Sequence, residues 1–178
     1  MISFVIATSG RASIQHTLIS IETYDGDEIV VVGGEIDVPA SVDCSRVRHI
    51  PCPLGNDWGH TERNYAASYL TGRYIAHIDD DDVYVEGTRA QLAKAIEDHP
   101  HGPSIFRMQY PDGRVLWSGF DLCLGNIGTP MTLWPNVPDK LGTWGPFHGG
   151  DFHYVQTMKW ARDEVRWWPT VIARLGHN

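Results

Sequence analysis

Short apolar runs alternate with polar, helix-like segments through the first half of the chain. Residues 2–7, 27–34 and 73–78 are apolar runs containing β-branched residues, a pattern typical of strands buried on both faces of a sheet. Residues 47–52 form a shorter run of the same kind. We therefore predict four strands in this half of the chain.

The segments between these runs carry helical signals. Apolar residues at helical spacing predict a helix over residues 13–24, and residues 86–99 give the clearest helical pattern in the chain. We interpret residues 53–72 as a loop that becomes a helix, with Thr61 as its N-cap and Gly72 as the residue that ends it. The first half is thus predicted to alternate between strand and helix.

The second half follows a different pattern. Residues 111–113 (Pro-Asp-Gly) form a strong turn signal between two apolar segments, which predicts a β-hairpin. Residues 135–150 are rich in Pro and Gly and are predicted to form a long functional loop. The remaining predictions are a short strand, a helix and a closing strand with its tail, over residues 129–135, 151–163 and 166–178.

Alternation of strand and helix predicts a mostly parallel sheet in an α/β domain, here a single domain over residues 1–178. In open sheets of this kind, ligands bind beyond the carboxyl ends of the strands. Residues 8–11, 33–34 and 79–82 each follow a predicted strand. If those strands are parallel neighbours, the three segments converge on one crevice.

Composition and charge narrow the function classes. Hydrophobic residues make up 42% of the 178 residues and charged residues 20%, which is ordinary globular composition. The net charge is -8 and no run of Lys or Arg is present, so binding to a nucleic-acid backbone is not expected as the main activity.

Cysteine usage and hydropathy bear on the compartment. The three cysteines lack C-x-x-C spacing, so we expect reduced thiols in a cytoplasmic protein. The N-terminal apolar segment is shorter than a signal peptide and has no basic lead-in, and no apolar run approaches 18 residues. We therefore expect neither a signal peptide nor a membrane span.

Four consecutive aspartates, Asp79–Asp82, follow the predicted strand at residues 73–78. Carboxylate oxygens at a strand-end crevice suit Mg²⁺ or Mn²⁺, which commonly keep substrate phosphates in their coordination shell. The alternative is a solvated acidic loop, the commoner explanation for an arbitrary D-x-D. The position directly after a buried strand favours the metal site.

At this point the sequence resembles the small GT-A nucleotide-sugar glycosyltransferases of the family 2 type. The best match is "GHTERNYAASYLTGRYIAHIDDDD" (residues 59–82), which has an Arg-Asn pair, a helix, a Gly, an apolar strand and D-x-D in the family's order. The strands at residues 2–7 and 27–34, "GGDFHYV" (149–155) and the terminal "GHN" resemble further family motifs. The resemblance covers nearly the whole chain.

The resemblance implies a role for several residues. Asp151 would be the catalytic base, and Asp81 and His177 would bind Mn²⁺ or Mg²⁺. The donor, with a UDP-sugar as the implied choice, would lie against Thr8, Arg11, Gly33, Arg63, Asp79 and Asp80. Residues 1–82 would form the nucleotide-binding half and residues 83–178 the acceptor-side half.

One segment departs from the family pattern. Family members usually have an acidic pair with Gly and Ser after the second strand, and the first Asp contacts the nucleotide. Here the place is taken by Gly33, Gly34 and Glu35. The usual contact to the base is therefore missing or replaced.

The predicted function is a metal-dependent, inverting glycosyltransferase acting on an acceptor hydroxyl. The alternatives are a nucleotidyltransferase on a related α/β core and a non-catalytic, metal-dependent carbohydrate-binding module. The sequence lacks a G-x-x-x-x-G-K-[ST] loop and a G-x-S-x-G elbow, which argues against a P-loop NTPase and an α/β-hydrolase. Trp144, in the Gly/Pro-rich loop, is the best aromatic candidate for stacking on an acceptor sugar, although core packing is the default for Trp.

Overall fold

The computed structural model describes residues 1–176. His177, the predicted second metal ligand, lies outside the described residues. The first half forms four parallel strands and two helices: β1 (Ile2–Thr8), α1 (Ile14–Ser20), β2 (Glu28–Gly33), β3 (Val47–Pro51), α2 (His60–Ala66) and β4 (Tyr74–Asp79). This alternation confirms the α/β prediction.

The second half adds five short or irregular strands and two helices. They are β5 (Val83–Tyr84), α3 (Thr88–Asp98), β6 (Ser104–Gln109), β7 (Val115–Leu116), β8 (Thr132–Pro135), α4 (Gly150–Thr157) and β9 (Arg166–Arg174). Strands β6 and β7 pair antiparallel about the turn at residues 111–113, which confirms the predicted hairpin.

Within residues 1–176, the strands join one mixed sheet in the order β3-β2-β1-β4-β8-β6-β9-β5, with β7 beside β6. Strand β8 is antiparallel to both β4 and β6, so the parallel arrangement predicted for the sheet holds for the β3-β2-β1-β4 part and becomes mixed beyond it. The carboxyl ends of β1 and β4 lie side by side, because Ala7 pairs with Asp79.

Alternate residues of β1 enter different cores because successive side chains of a strand point to opposite faces. Phe4 and Ile6 pack into a core shared with helices α1 and α3. Val5 and Ala7 pack on the other face, in a smaller core that includes Ala66 of α2. Helices therefore cover both faces, and the sheet is buried between them.

The start of α2 differs from the prediction. Thr61 is the second residue of the helix, whereas the N-cap position is Gly59, with φ of 81°. The capping function falls to Asp57, whose carboxylate accepts hydrogen bonds from the backbone N–H groups of His60 (3.1 Å) and Thr61 (3.2 Å). An aspartate three residues upstream reaches these N–H groups because the left-handed turn at Gly59 folds the loop back on itself.

The end of α2 was also predicted wrongly. The helix ends at Ala66 and continues only as a short 3₁₀ turn to Tyr69, so Gly72 does not terminate it. Gly72 instead lies against β1, where its N–H donates to Ser3 Oγ (2.8 Å) and a Cβ would lie 2.4 Å from the Ser3 nitrogen. This close approach of two backbones leaves room only for glycine.

Helices α1 and α4 are shorter than predicted, and α4 ends at Thr157 rather than at residue 163. Within the described part of the chain, no helix has the length and apolarity needed to cross a membrane.

Candidate functional site

The turn after β1 and the aspartates after β4 are tied together by direct contacts. Thr8 Oγ1 donates to Asp80 Oδ2 (2.7 Å), and the Arg11 guanidinium pairs with both Asp80 and Asp81. The N–H of Gly10 donates to Thr8 Oγ1 (2.9 Å), which fixes the turn between the strand and Arg11. Two of the three strand-end segments predicted to converge therefore do so.

Arg63 is a buried charge at the centre of this arrangement. Its side chain is 2% exposed and pairs with Asp79, while its second guanidinium nitrogen donates to the carbonyl oxygen of Trp58 (2.9 Å). The sequence left open that Arg63 was a surface residue. Burial excludes that alternative, and its pairing orients both the loop before α2 and the first residue of the D-x-D.

Asn64, next to Arg63, holds the long loop of residues 135–150. Its side-chain amide donates to the carbonyl oxygen of Trp144 and accepts from the Trp144 N–H, both at 2.9 Å. The Arg-Asn pair thus has two structural tasks, since one residue neutralises Asp79 and the other anchors the segment that leads to α4.

The amino ends of α2 and α4 meet at the site. Gly150, the first residue of α4, lies so close to His60 that a Cβ would be 2.2 Å from the imidazole ring. This contact needs a glycine, and it places Asp151 beside the aspartates that follow β4. Asp79 and Asp151 line the same cavity.

Several carboxyl groups here are harder to ionise than usual. Burial, followed by the neighbouring Asp79 carboxylate, raises the pKa of Asp82 to about 8, although the Gly176 N–H donates to Asp82 Oδ1 (3.0 Å). Burial also raises the pKa of Asp79, and the nearby carboxylates add to the effect while Arg63 opposes it. The carboxyl groups here outnumber the guanidinium groups of Arg11 and Arg63, and a bound cation would favour their ionised forms.

Asp151 shows the same direction of shift. Burial raises its pKa, although the Phe152 N–H donates to Asp151 Oδ1 (2.7 Å) and the Arg63 charge opposes the shift. A carboxylate with a raised pKa is a stronger proton acceptor than an ordinary surface aspartate.

The arrangement fits a divalent cation held partly by its substrate. Asp81 has a partly exposed carboxylate, and the carboxylates of Asp80, Asp81 and Asp151 that disfavour ionisation of Asp79 would be stabilised by a cation. Among residues 1–176, no group of three or more His, Cys, Asp or Glu side chains is placed to hold a metal ion by itself. Mg²⁺ commonly uses one or two carboxylates with water and substrate phosphates, so such a cage is not required.

Two cavities meet at Asp79. The first, of about 360 Å³, has mainly polar and charged walls and includes Thr8, Arg11, Arg63 and Asp79–Asp81. We call it the polar cavity. The second, of about 290 Å³, contains Asp151 as well as Asp79. We call it the apolar cavity because six apolar side chains line it: Met108, Leu116, Leu124, Ile127, Pro130 and Leu175.

Three candidate residues, Gly33, Asp80 and Trp144, have little exposed surface. Gly33 pairs with Thr8 but is not among the residues that line the polar cavity, because its backbone packs on the Thr8 carbonyl. Asp80 is 1% exposed, and its carboxylate accepts from Thr8 and Arg11. Trp144 is 5% exposed and packs against His60, Tyr154 and the Arg63 guanidinium, so it does not present a face to a sugar.

Sequence reasoning missed Trp58. This residue is 66% exposed, lines the polar cavity and has φ of 60°, a region that non-glycine residues rarely occupy. Its ring meets His148 edge-on at 5.9 Å between centroids, and His148 lines the apolar cavity. A Trp in a loop of Gly, Asn and Asp residues was the available signal, because such a loop offers little apolar surface for burial.

The family model described as glycosyl transferase family 2 matches residues 12–165. The chain belongs to this family. It is also 32% identical over 87 residues to beta-1,4 N-acetylgalactosaminyltransferase 1 of Mus musculus, a match that covers 48% of this chain and 16% of that protein. The chain thus spans less than a fifth of the length of the curated relatives it matches.

Solved structures of glycosyltransferases share the fold. S. aureus TarS superposes with a TM-score of 0.73 at 14% identity, covering 98% of this chain and 36% of TarS. A shorter form of TarS has been solved with UDP-GlcNAc. Glucosyl-3-phosphoglycerate synthase from Mycobacterium tuberculosis, solved with Mg²⁺ and UDP, gives a TM-score of 0.65 at 14% identity and covers 100% of this chain and 72% of that one. The predicted GT-A fold is thereby confirmed.

Proposed function

We propose that this family 2 chain transfers a sugar from a UDP-sugar to an acceptor hydroxyl, with a divalent cation at the aspartates and with inversion at the anomeric carbon. The observation that carries the proposal is the pair of cavities that meet at Asp79, one lined by Arg11, Arg63 and aspartates and the other containing Asp151. UDP-bound relatives of the same fold support the choice of donor.

The polar cavity would take the donor. Arg11 is 57% exposed at the side chain, so it keeps donors available for a phosphate or ribose oxygen while paired with Asp80 and Asp81. Thr8 and Arg63 would also hold the aspartate cluster in position, since Thr8 bonds to Asp80 and Arg63 pairs with Asp79. Asp81, with Asp79 beside it, would hold the divalent cation, which when bound supplies positive charge that stabilises the leaving diphosphate.

Asp151 would remove the proton from the acceptor hydroxyl. The acceptor oxygen forms a bond to the anomeric carbon as the bond from that carbon to the phosphate oxygen breaks, and UDP leaves with the electron pair. Both cavities contain Asp79, so an acceptor oxygen beside Asp151 would face a sugar held in the polar cavity. A single displacement from the opposite side inverts the anomeric configuration.

The test is an assay of several nucleotide-sugars with Mn²⁺, in which the released nucleotide is identified. UDP release is expected, whereas pyrophosphate would indicate a nucleotidyltransferase. Binding without release of either would indicate a carbohydrate-binding module.

Metal dependence is tested separately by calorimetry of UDP binding with Mn²⁺ and with EDTA. We expect weaker binding in EDTA, and Asp81→Ala should lose more of the metal-dependent affinity than Asp82→Ala, because Asp82 is 4% exposed and bonded to Gly176. Equal affinities with and without metal would remove the cation from the proposal.

A further inference from the structure

The walls of the apolar cavity contain more apolar side chains than polar ones. A hydroxyl-rich sugar is recognised through several well-placed hydrogen-bonding groups, since a polar group buried without a partner costs free energy. Here six lining residues are aliphatic, a Met or a Pro, three more are glycines, and five carry polar side chains: Asp79, Tyr110, Thr129, His148 and Asp151. The six apolar side chains stabilise a ligand that has an apolar body to place against them.

The carboxylate and imidazole groups of this cavity are concentrated on one side, since Asp79 comes from the end of β4 and His148 and Asp151 from the segment that begins α4. The hydroxyl groups of Tyr110 and Thr129 also line the cavity. Met108 and Leu116 come from the paired strands β6 and β7. A ligand in this cavity would therefore have one end at Asp151 and its body against the apolar wall.

The rim of the apolar cavity also carries an apolar side chain. Leu124 is 64% exposed, although it lies against Gly149, where a Cβ would be 2.8 Å from Leu124 Cδ1. An exposed leucine that borders a cavity beside the candidate base has apolar surface that a ligand would cover. Ile127, deeper in the cavity, is 3% exposed and belongs to the main core, so the apolar wall is a fixed part of the fold.

From this asymmetry we propose that the acceptor is an apolar alcohol: a single hydroxyl carried on a compact aromatic or aliphatic body. The hydroxyl lies at Asp151, and the body packs against Met108, Leu116, Leu124 and Ile127. The inference rests on the proposed function, because Asp151 is useful to a hydroxyl only if a sugar donor occupies the polar cavity.

The experiment uses fluorine NMR titrations of the whole chain with saturating UDP and Mn²⁺. The probes are trifluoromethyl-benzyl alcohol, trifluoromethyl-cyclohexylmethanol and, as the hydroxyl-rich control, a fluorinated methyl glucoside. We expect saturable binding of both apolar alcohols and at least tenfold weaker binding of the glucoside. With a UDP-sugar in place of UDP, mass spectrometry should detect the sugar attached to the apolar alcohols.

Two leucine variants form a matched pair. Leu124→Ser should weaken binding of the apolar alcohols by about three- to tenfold, because it removes apolar contact at the rim. Leu54→Ser, at another exposed leucine outside the apolar cavity, should leave binding unchanged. Both sites are exposed, so both variants are expected to fold, and melting temperatures verify this.

The outcomes separate this inference from the proposed function. If UDP binds and is released from a UDP-sugar, but the glucoside binds as well as the apolar alcohols or Leu124→Ser has no effect, the acceptor inference is wrong and the proposed function stands. If no UDP-sugar is bound or turned over, the proposed function fails and the inference fails with it.

Discussion

The polar and apolar cavities share Asp79 but are built in different ways. The walls of the polar cavity come mainly from strand-end turns and the loop before α2, and their charges are paired in advance, Arg11 with Asp80 and Asp81 and Arg63 with Asp79. The walls of the apolar cavity come mainly from the second half of the chain.

The two cavities suit chemically different ligands, although they lie side by side in one fold. Paired charges in fixed positions bind a charged ligand with little reorganisation, which suits the proposed nucleotide-sugar donor. An apolar wall distinguishes ligands by shape and hydration. The predictions below test this division, from the largest expected effect to the smallest.

Asp151→Asn should have the largest effect, a loss of transfer of about 10²–10⁴-fold, because the amide cannot accept the proton. Binding of UDP in the polar cavity should be nearly unchanged, since Asp151 is not among its lining residues. Steady-state kinetics and UDP calorimetry measure the two quantities. Asp139→Asn, at an exposed site outside both cavities, is the control. A variant that loses UDP affinity as much as turnover would show that the two cavities are not functionally separate.

Arg63→Met should damage both cavities, because Asp79 lines both and loses its partner. Removing one member of a buried ion pair costs about 3–5 kcal/mol, and we expect about 1–3 kcal/mol here because the Asp79 side chain is 35% exposed. Denaturant unfolding gives the loss of stability, and UDP calorimetry gives the loss of affinity. Arg63→Lys keeps the charge and should recover part of both; an unchanged stability in Arg63→Met would contradict the structural role assigned to this pair.

Trp58→Ala should weaken binding of a UDP-sugar several-fold, because the indole lines the polar cavity, and should leave the fold intact because the ring is largely exposed. Trp58→Gly should bind the donor as poorly as Trp58→Ala and yet be more stable by about 1 kcal/mol, since glycine tolerates the positive φ. Thermal melts and UDP-sugar titrations measure both effects. If Trp58→Ala binds the donor as tightly as wild type, the exposed ring does not contact the bound donor.

Glu28 supplies a carboxylate outside both cavities with the opposite pKa shift. Burial opposes ionisation, but hydrogen bonds from Ser3, Arg48 and Thr71 outweigh it and lower the pKa of Glu28 to about 2. Because the folded pKa lies below the unfolded value, Glu28 contributes stability above about pH 4.5 that is lost as the pH falls toward 2.

Glu28→Gln should therefore destabilise the protein at pH 7 by about 1–2 kcal/mol and have little effect near pH 2. Denaturant unfolding across this pH range measures the difference, and Glu97→Gln, on the exposed side of α3, is the control. If Glu28→Gln is equally destabilised at both pH values, the lost stability comes from packing rather than from the carboxylate charge.

The elements of the first half follow from local pattern. Continuous apolar runs bounded by polar or Gly residues predicted the strands of the parallel part, and the order of strand, acidic turn and helix predicted the edge of the sheet at which Thr8 and Asp80 meet. These features are local because strand burial and strand-end turns are set by residues within a few positions of one another.

The errors share another cause. Thr61 and Gly72 each had a plausible local role, but other contacts decided otherwise: Asp57 caps α2, and Gly72 packs on Ser3. Trp144 follows the default for Trp, since it is buried and held by Asn64. In each case, the deciding partner came from another part of the fold or from an unpredicted turn.

The sequence alone thus determined the α/β class, the strand-end aspartates and the polar cavity's charged residues, because these depend on periodicity and chain order. Only the tertiary structure decided that Arg63 is buried against Asp79, that Gly150 packs on His60 and thereby places Asp151, and that apolar side chains from β6 to the end of β9 enclose a second cavity. Cavities are formed by surfaces that fold together from positions far apart in the chain, and local pattern specifies each surface without specifying which other surface it will face.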